Sequence, residues 1–157
     1  MIHYLDSLCL QFYPKLRLMR WEWHGPMSLT RFQVAFSKML VFASQHMPNR
    51  WLIDLAHMPP LGIDEQEWLS DMWLPCAQNL SLRHLAVVLP GNLHNQLVIE
   101  NVLQDGRQYF NANMQFFADT TTGLDWLTGS AKLMLDLEQE WQEAHVGQWQ
   151  TRVTHCR

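Results

Sequence analysis

Asp54 and His57 stand three residues apart in "WLIDLAHMPP" (residues 51–60). An acid and an imidazole at that spacing could share a proton or ligate one metal ion, provided the stretch is helical. Residues 50–56, "RWLIDLA", read instead as a short apolar strand, and Pro59 with Pro60 leaves no room for a helix after it. On a strand, positions i and i+3 point to opposite faces. Asp54 is therefore expected to hydrogen-bond loop amides at a strand end, and His57 to lie on the loop beyond.

More candidates gather at equivalent places. Open α/β sheets bind ligands beyond the carboxyl ends of their strands, at topological switch points. Asp64 follows the 50–56 strand in this way, and Asn92, His94 and Asn95 follow the next one. An enzyme built there would use His57, Asp64 and His94. No second carboxylate completes a metal set with the two histidines, so neither metal nor other cofactor is expected.

Other chemistries lack their frames. The serines sit in no G-x-S-x-G, and there is neither a G-x-G-x-x-G nor a G-x-x-x-x-G-K-[ST] phosphate cradle. Cys9, Cys76 and Cys156 are odd in number and form no C-x-x-C, which argues against a disulfide framework or zinc knuckle. Cys9 and Cys76 are expected to be small buried hydrophobes, and Cys156 belongs to a tail. Catalysis is not expected.

The elements that must position these residues follow from periodicity. Residues 8–13 and 16–23 read as an antiparallel hairpin split by "PK"; in its second strand Leu16, Leu18, Arg20 and Glu22 face one way and Arg17, Met19, Trp21 and Trp23 the other. Ser28 caps a helix running to about His46. After the 50–56 strand, Asp64 with Glu67 resembles a capping box for a helix over 65–79, with Ile63 stapled onto Trp68. Its buried stripe would be Trp68, Leu69, Met72, Trp73 and Cys76, and Pro75 should kink it near residues 71–74.

Strand 83–90, helix 93–105 ended by Gly106, strand 114–119 and helix 120–128 capped by Asp119 come next. Gly123 weakens the last of these. Residues 130–146 or beyond repeat apolar positions at helical spacing, and this amphipathic helix needs a surface, either its own sheet or a second subunit. The fold class is thus α/β: a mixed sheet of about five strands, with an N-terminal antiparallel hairpin and then parallel strands. About four helices pack on it, and a C-terminal helical extension follows. The expected organisation is one domain over 1–129 and the extension over 130–157.

Composition narrows the function classes. A formal charge of −4 and 11 scattered Lys and Arg give no basic field for nucleic acid. Apolar runs of about five residues are far short of the roughly 20 that a spanning helix needs, and the N-terminus lacks the pattern of a signal peptide, which points to the cytoplasm.

With this order in hand, "RWLIDL" (50–55), "DEQEWLSDMWLP" (64–75), "RHLAVVLP" (83–90) and "DWL" (125–127) resemble the STAS group, the domain type of bacterial anti-sigma-factor antagonists, and the small bacterial STAS/SEC14-like proteins. The likeness covers residues 8–128. It implies a STAS-like fold and a role in protein contacts or regulation, with no catalytic residues. Phosphoswitch members carry a Ser after the central strand; here "PPLGIDEQ" (59–66) has no Ser or Thr, which puts that regulation in doubt.

The leading expectation is a non-enzymatic interaction module, binding another protein or itself as a homodimer through a sheet edge or the C-terminal helix. Among the eight tryptophans, Trp141 and Trp149 on that helix are its candidate contacts. The alternative is a carrier or sensor of a small apolar ligand, since nine Met and many aromatic residues could line an adaptable cavity.

Overall fold

The computed structural model describes the backbone of residues 1–155 and the side chains of residues 1–145. Its centre is one six-stranded sheet: β1 (Ile2–Leu5), β2 (Leu8–Tyr13), β3 (Leu18–Trp23), β4 (Arg50–Asp54), β5 (His84–Val88) and β6 (Asn113–Phe117), ordered as they occur in the chain. β1–β2 and β2–β3 pair antiparallel, and β3–β4, β4–β5 and β5–β6 pair parallel. The mixed α/β layout expected from the sequence is present.

The extra strand is β1. "IHYL" turns into β2 through Asp6, whose φ of 57° is left-handed, a conformation that Asp tolerates better than most residues. The "PK" break in the hairpin is a single 3₁₀ turn, Pro14–Leu16, closed by Arg17 in a left-handed conformation.

The helices divide between the two faces. α1 (Leu29–His46), α2 (Ile63–Trp68), α3 (Leu74–Ala77) and α4 (Leu93–Gly106) pack one side, in a core that includes Leu10, Trp21, Phe36, Trp51, Leu69, Trp73, Val87 and Val98. α5 (Thr120–Thr128) and α6 (Ala131–His155) cover the other, joining Leu18, Leu52, Ala86 and Val88 through Leu124, Leu127, Met134 and Leu137. The cause is topological. Parallel crossovers share one handedness, so three successive ones along a sheet that grows in one direction deposit their helices on the same face. The opposite face is left to whatever follows β6.

The helix after β4 departs from the expected frame. Its N-cap is Gly62, not Asp64; the Glu65 carboxylate reaches back to accept the Gly62 N–H at 3.1 Å, while Asp64 and Ile63 are exposed. Leu61, buried, takes the inward place expected of Ile63. The kink ahead of Pro75 is a π-helical turn, Leu69–Trp73, which absorbs the backbone bond that a proline cannot donate. That wide turn shifts the phase of the helix. Leu69, Trp73, Leu74 and Ala77 face inward, and Met72 and Cys76, both expected inside, are exposed.

Gly123 in α5 lies so close to the sheet that a Cβ there would stand 2.8 Å from Leu52 Cδ1. The residue that weakens the helix in isolation is what lets it seat on β4.

Candidate functional site

Alternation along β3 and β4 creates two distinct regions. Trp21, Trp51 and Ile53 point toward α1–α4, and Arg20, Glu22 and Asp54 toward α5 and α6. The first side holds a cavity and the second a buried polar cluster.

The cluster begins with Arg20, 2% exposed at the middle of the sheet. Its Nη1 donates to Glu138 Oε1 at 2.8 Å, and its guanidinium lies 4.1 Å over the Trp141 ring. Burial lowers the Arg20 pKa, and the charges of Glu138, Asp54 and Glu22 work against that loss. Gln11 donates to the Leu137 carbonyl at 2.9 Å and to Glu140 at 3.0 Å; Glu140 also holds the N-terminal ammonium at 2.7 Å. α6 is thus fastened to its own sheet along β2 and β3.

Toward the carboxyl end of β3 the cluster is richer in titratable groups. Glu22 Oε1 stands 2.9 Å from His24 Nε2 and 3.3 Å from His145 Nε2. His145 Nδ1 is 2.8 Å from the Trp141 carbonyl, which can only accept, so Nδ1 carries a proton. Cys9 faces Glu22 in the β2–β3 register and is buried; burial, then the Glu22 charge, pushes its thiol up to about 12. One ligand atom from each of Cys9, His24 and His145 lies within 4.8 Å of the others.

Asp54 sits beside Glu22 in the parallel register and accepts the Ala56 N–H at 3.1 Å, a loop-amide bond of the kind expected of it. Burial raises the Asp54 pKa, and the Glu22 charge adds to the rise against the Ala56 bond. For Glu22 burial acts the same way, but His24, Asp54 and His145 outweigh it and hold its carboxyl below the usual range. The two acids are thus shifted in opposite directions, Asp54 toward its protonated form and Glu22 toward its charged form. Asp54 therefore works with Glu22 on the adjoining strand, whereas His57 is exposed in the turn beyond.

The remaining sequence candidates frame a loop. The sheet order runs without reversal, so the switch-point crevice expected beside Asp54, His57, Asp64, Asn92, His94 and Asn95 does not form. Asn92 caps α4 by accepting the Asn95 N–H. Asn95 is fully buried: Nδ2 donates to the Met58 and Pro59 carbonyls at 3.0 Å each, and Oδ1 accepts the Leu61 N–H at 2.9 Å. His94 Nε2 meets the Leu61 carbonyl at 2.7 Å. These two residues pin the β4–α2 loop. Asp64 is exposed in the first turn of α2.

That loop closes one end of a cavity of about 490 Å³ between the sheet and α1–α4. Leu55, Met58 and Leu61 line it there, Trp21, Trp51 and Trp73 line its walls, and Phe110 to Ala112 with Arg107 lie at the other end, where Arg107 and Asn111 are exposed. Trp51 and Trp73 give their indole N–H groups to the Pro48 and Phe36 carbonyls. Among the described residues the buried Trp21 N–H has no partner.

Trp141 is buried beneath Arg20 in its own chain and, in this chain, offers no free contact face. Trp149 lies outside the residues whose side chains are described, and Cys156 outside the described residues altogether. The sequence reads Cys9 as a small buried hydrophobe and sets Arg20 and Glu22 on one strand face without a role, and it does not single out His24 or His145. The cluster's signal was there in the alternation Arg20, Glu22, His24, a polar line on one strand face. Among the described residues no helix is long and apolar enough to cross a membrane. Compared with known proteins, the chain matches no protein-family model, no curated protein and no solved structure.

Proposed function

We propose that the protein binds a small apolar molecule carrying one hydrogen-bond acceptor, in the cavity between its sheet and α1–α4, and serves as its carrier or sensor. The observation that carries this reading is the cavity volume of about 490 Å³, within the range of ligand pockets. Filled by water alone, a wall this apolar would offer that water few hydrogen bonds, at a cost in free energy. An occupant offsets that cost. Its apolar body would lie against Leu55, Ile53, Val87 and Ile99, and the unpartnered Trp21 N–H supports an acceptor on it.

The test is native mass spectrometry of the purified chain, followed by titration of stripped protein with N-phenylnaphthylamine, read by quenching of tryptophan emission. A co-purifying mass, or saturable 1:1 uptake that Ala112→Trp at the open end abolishes, is the expected result. An empty protein with no saturable uptake would overturn the reading.

The interaction role implied by the STAS resemblance is a second reading, supported by the matching sheet layout and by the open edge of β6, where Phe116 is 47% exposed. An isologous dimer through that edge is the form it would take. Sedimentation separates the two: a dimer that Phe116→Glu dissociates favours this role, and a strict monomer removes self-association from it.

A further inference from the structure

We infer that Cys9, His24 and His145, with Glu22 beside them, form a binding site for a thiophilic divalent ion, zinc by the preferences of the ligands. Cys9 comes from β2, His24 from the end of β3 and His145 from α6, so the convergence is built by the tertiary fold and not by local spacing. On binding the ion, the Cys9 thiol would release its proton to solvent, and a thiolate with two imidazoles selects zinc or its soft neighbours over magnesium and calcium, which prefer oxygen.

The placement of the ring nitrogens suits a cation. His145 Nδ1 donates to the Trp141 carbonyl, which turns Nε2 toward the Glu22 carboxylate at 3.3 Å. His24 Nε2 lies 2.9 Å from the same oxygen. With no ion bound, a proton on a ring nitrogen bridges an imidazole to that carboxylate; a divalent ion would take the place of such protons and bind Nε2 of both rings. A ring nitrogen fixed by a backbone carbonyl on its far side is also the usual support of a metal-bound histidine.

The dimensions suit this reading. Metal–ligand bonds of 2.0–2.3 Å in a tetrahedron place donors roughly 3.3–3.8 Å apart. The three donors already lie within 4.8 Å of one another, so adjustments of about an ångström would close them on an ion. The side chains of His24 and His145 are 34% and 27% exposed, which leaves a route in from solvent. Glu22 would supply a fourth ligand or orient a bound water. The ion would tie the far half of α6 to the hairpin.

The experiment uses the full-length, reduced, chelator-stripped protein with Cys76→Ser and Cys156→Ser, so that Cys9 is the sole thiol. Cobalt(II) titration should give one equivalent with a thiolate charge-transfer band, displaced by zinc, and calorimetry should give the zinc affinity. Cys9→Ser should erase the band and weaken zinc by roughly 100-fold or more, His145→Ala should weaken it similarly, and Glu22→Gln by roughly 10-fold. His94→Ala should change nothing. Circular dichroism checks each variant; should Cys9→Ser fail to fold, His145→Ala on the partly exposed helix carries the test. Failure to bind zinc, a cobalt complex with no thiolate band, or an affinity indifferent to His145→Ala would overturn the proposal.

Discussion

Arg20 and Glu138 meet at 2.8 Å between the centre of the sheet and α6, their side chains 3% and 16% exposed. The contact is one-sided, since Arg20 Nε is buried without a partner, and the Trp141 ring carries the other side of the cation. Removing one member of such a pair strands a buried charge, whereas removing both does not. Glu138→Ala is expected to cost about 3 kcal/mol in urea unfolding, and Arg20→Met with Glu138→Leu distinctly less. Equal losses from the single and the double variant would show that the pair does not act as a unit.

Truncation before α6 should destroy the fold and not trim it. Met134 and Leu137 are buried against the second face of the sheet and Trp141 beneath Arg20, and at about 1.5–3 kcal/mol each their loss approaches the stability of a typical domain. A chain ending at residue 129 is expected to lose cooperative thermal unfolding. A sharp transition at the wild-type temperature would mean that the helix contributes nothing in cis.

Asn95 links stability to the cavity. Asn95→Ala leaves the Leu61 amide and the Met58 and Pro59 carbonyls unpaired, at about 1–3 kcal/mol per buried group. Met58 and Leu61 line the cavity, so hydrophobic-probe affinity should fall along with the melting temperature. Asn92→Ala, which removes only a cap, should cost about 1 kcal/mol and leave probe binding intact.

The pH dependence near neutrality should include His3. Burial, then the His46 and N-terminal charges, lower its pKa; its Nε2 is buried without a partner, and its ring stands edge-on to Phe42 at 4.9 Å. A depressed imidazole binds its proton more readily in the unfolded chain. Its contribution is therefore fully present above about pH 6.5 and is lost as pH falls from there through the folded value. His3→Phe should flatten the fall in melting temperature between pH 7 and pH 5, and an unchanged slope would remove His3 from the account.

Much of the architecture was legible because it is written in short-range signals. Ser28 and Asp119 cap the helices they were expected to cap, and alternation in "LRLMRWEW" already put apolar residues on both faces of that strand. The frame of the helix after β4 was not legible. Gly62 caps with no side-chain signature, and the π turn that serves Pro75 adds a residue to the repeat, carrying Met72 and Cys76 outward.

The candidate sites were less legible than the fold. Reading Asp54 with its sequence neighbour His57 placed the acid at a strand end but missed its partner, since Glu22 lies one strand away and far back in the chain. Lateral pairs depend on register, which a single strand does not reveal.

The sequence by itself determined which segments are strands and helices, because hydrophobic period, caps and breakers act over a few residues. Only the tertiary structure decided that α6 closes the second face of its own sheet, that Arg20, Glu22 and Cys9 are roofed by that helix, and that a cavity remains under the other. The reason is that a uniformly growing sheet commits its crossover helices to one side, and what covers the other is settled by packing between residues more than a hundred positions apart.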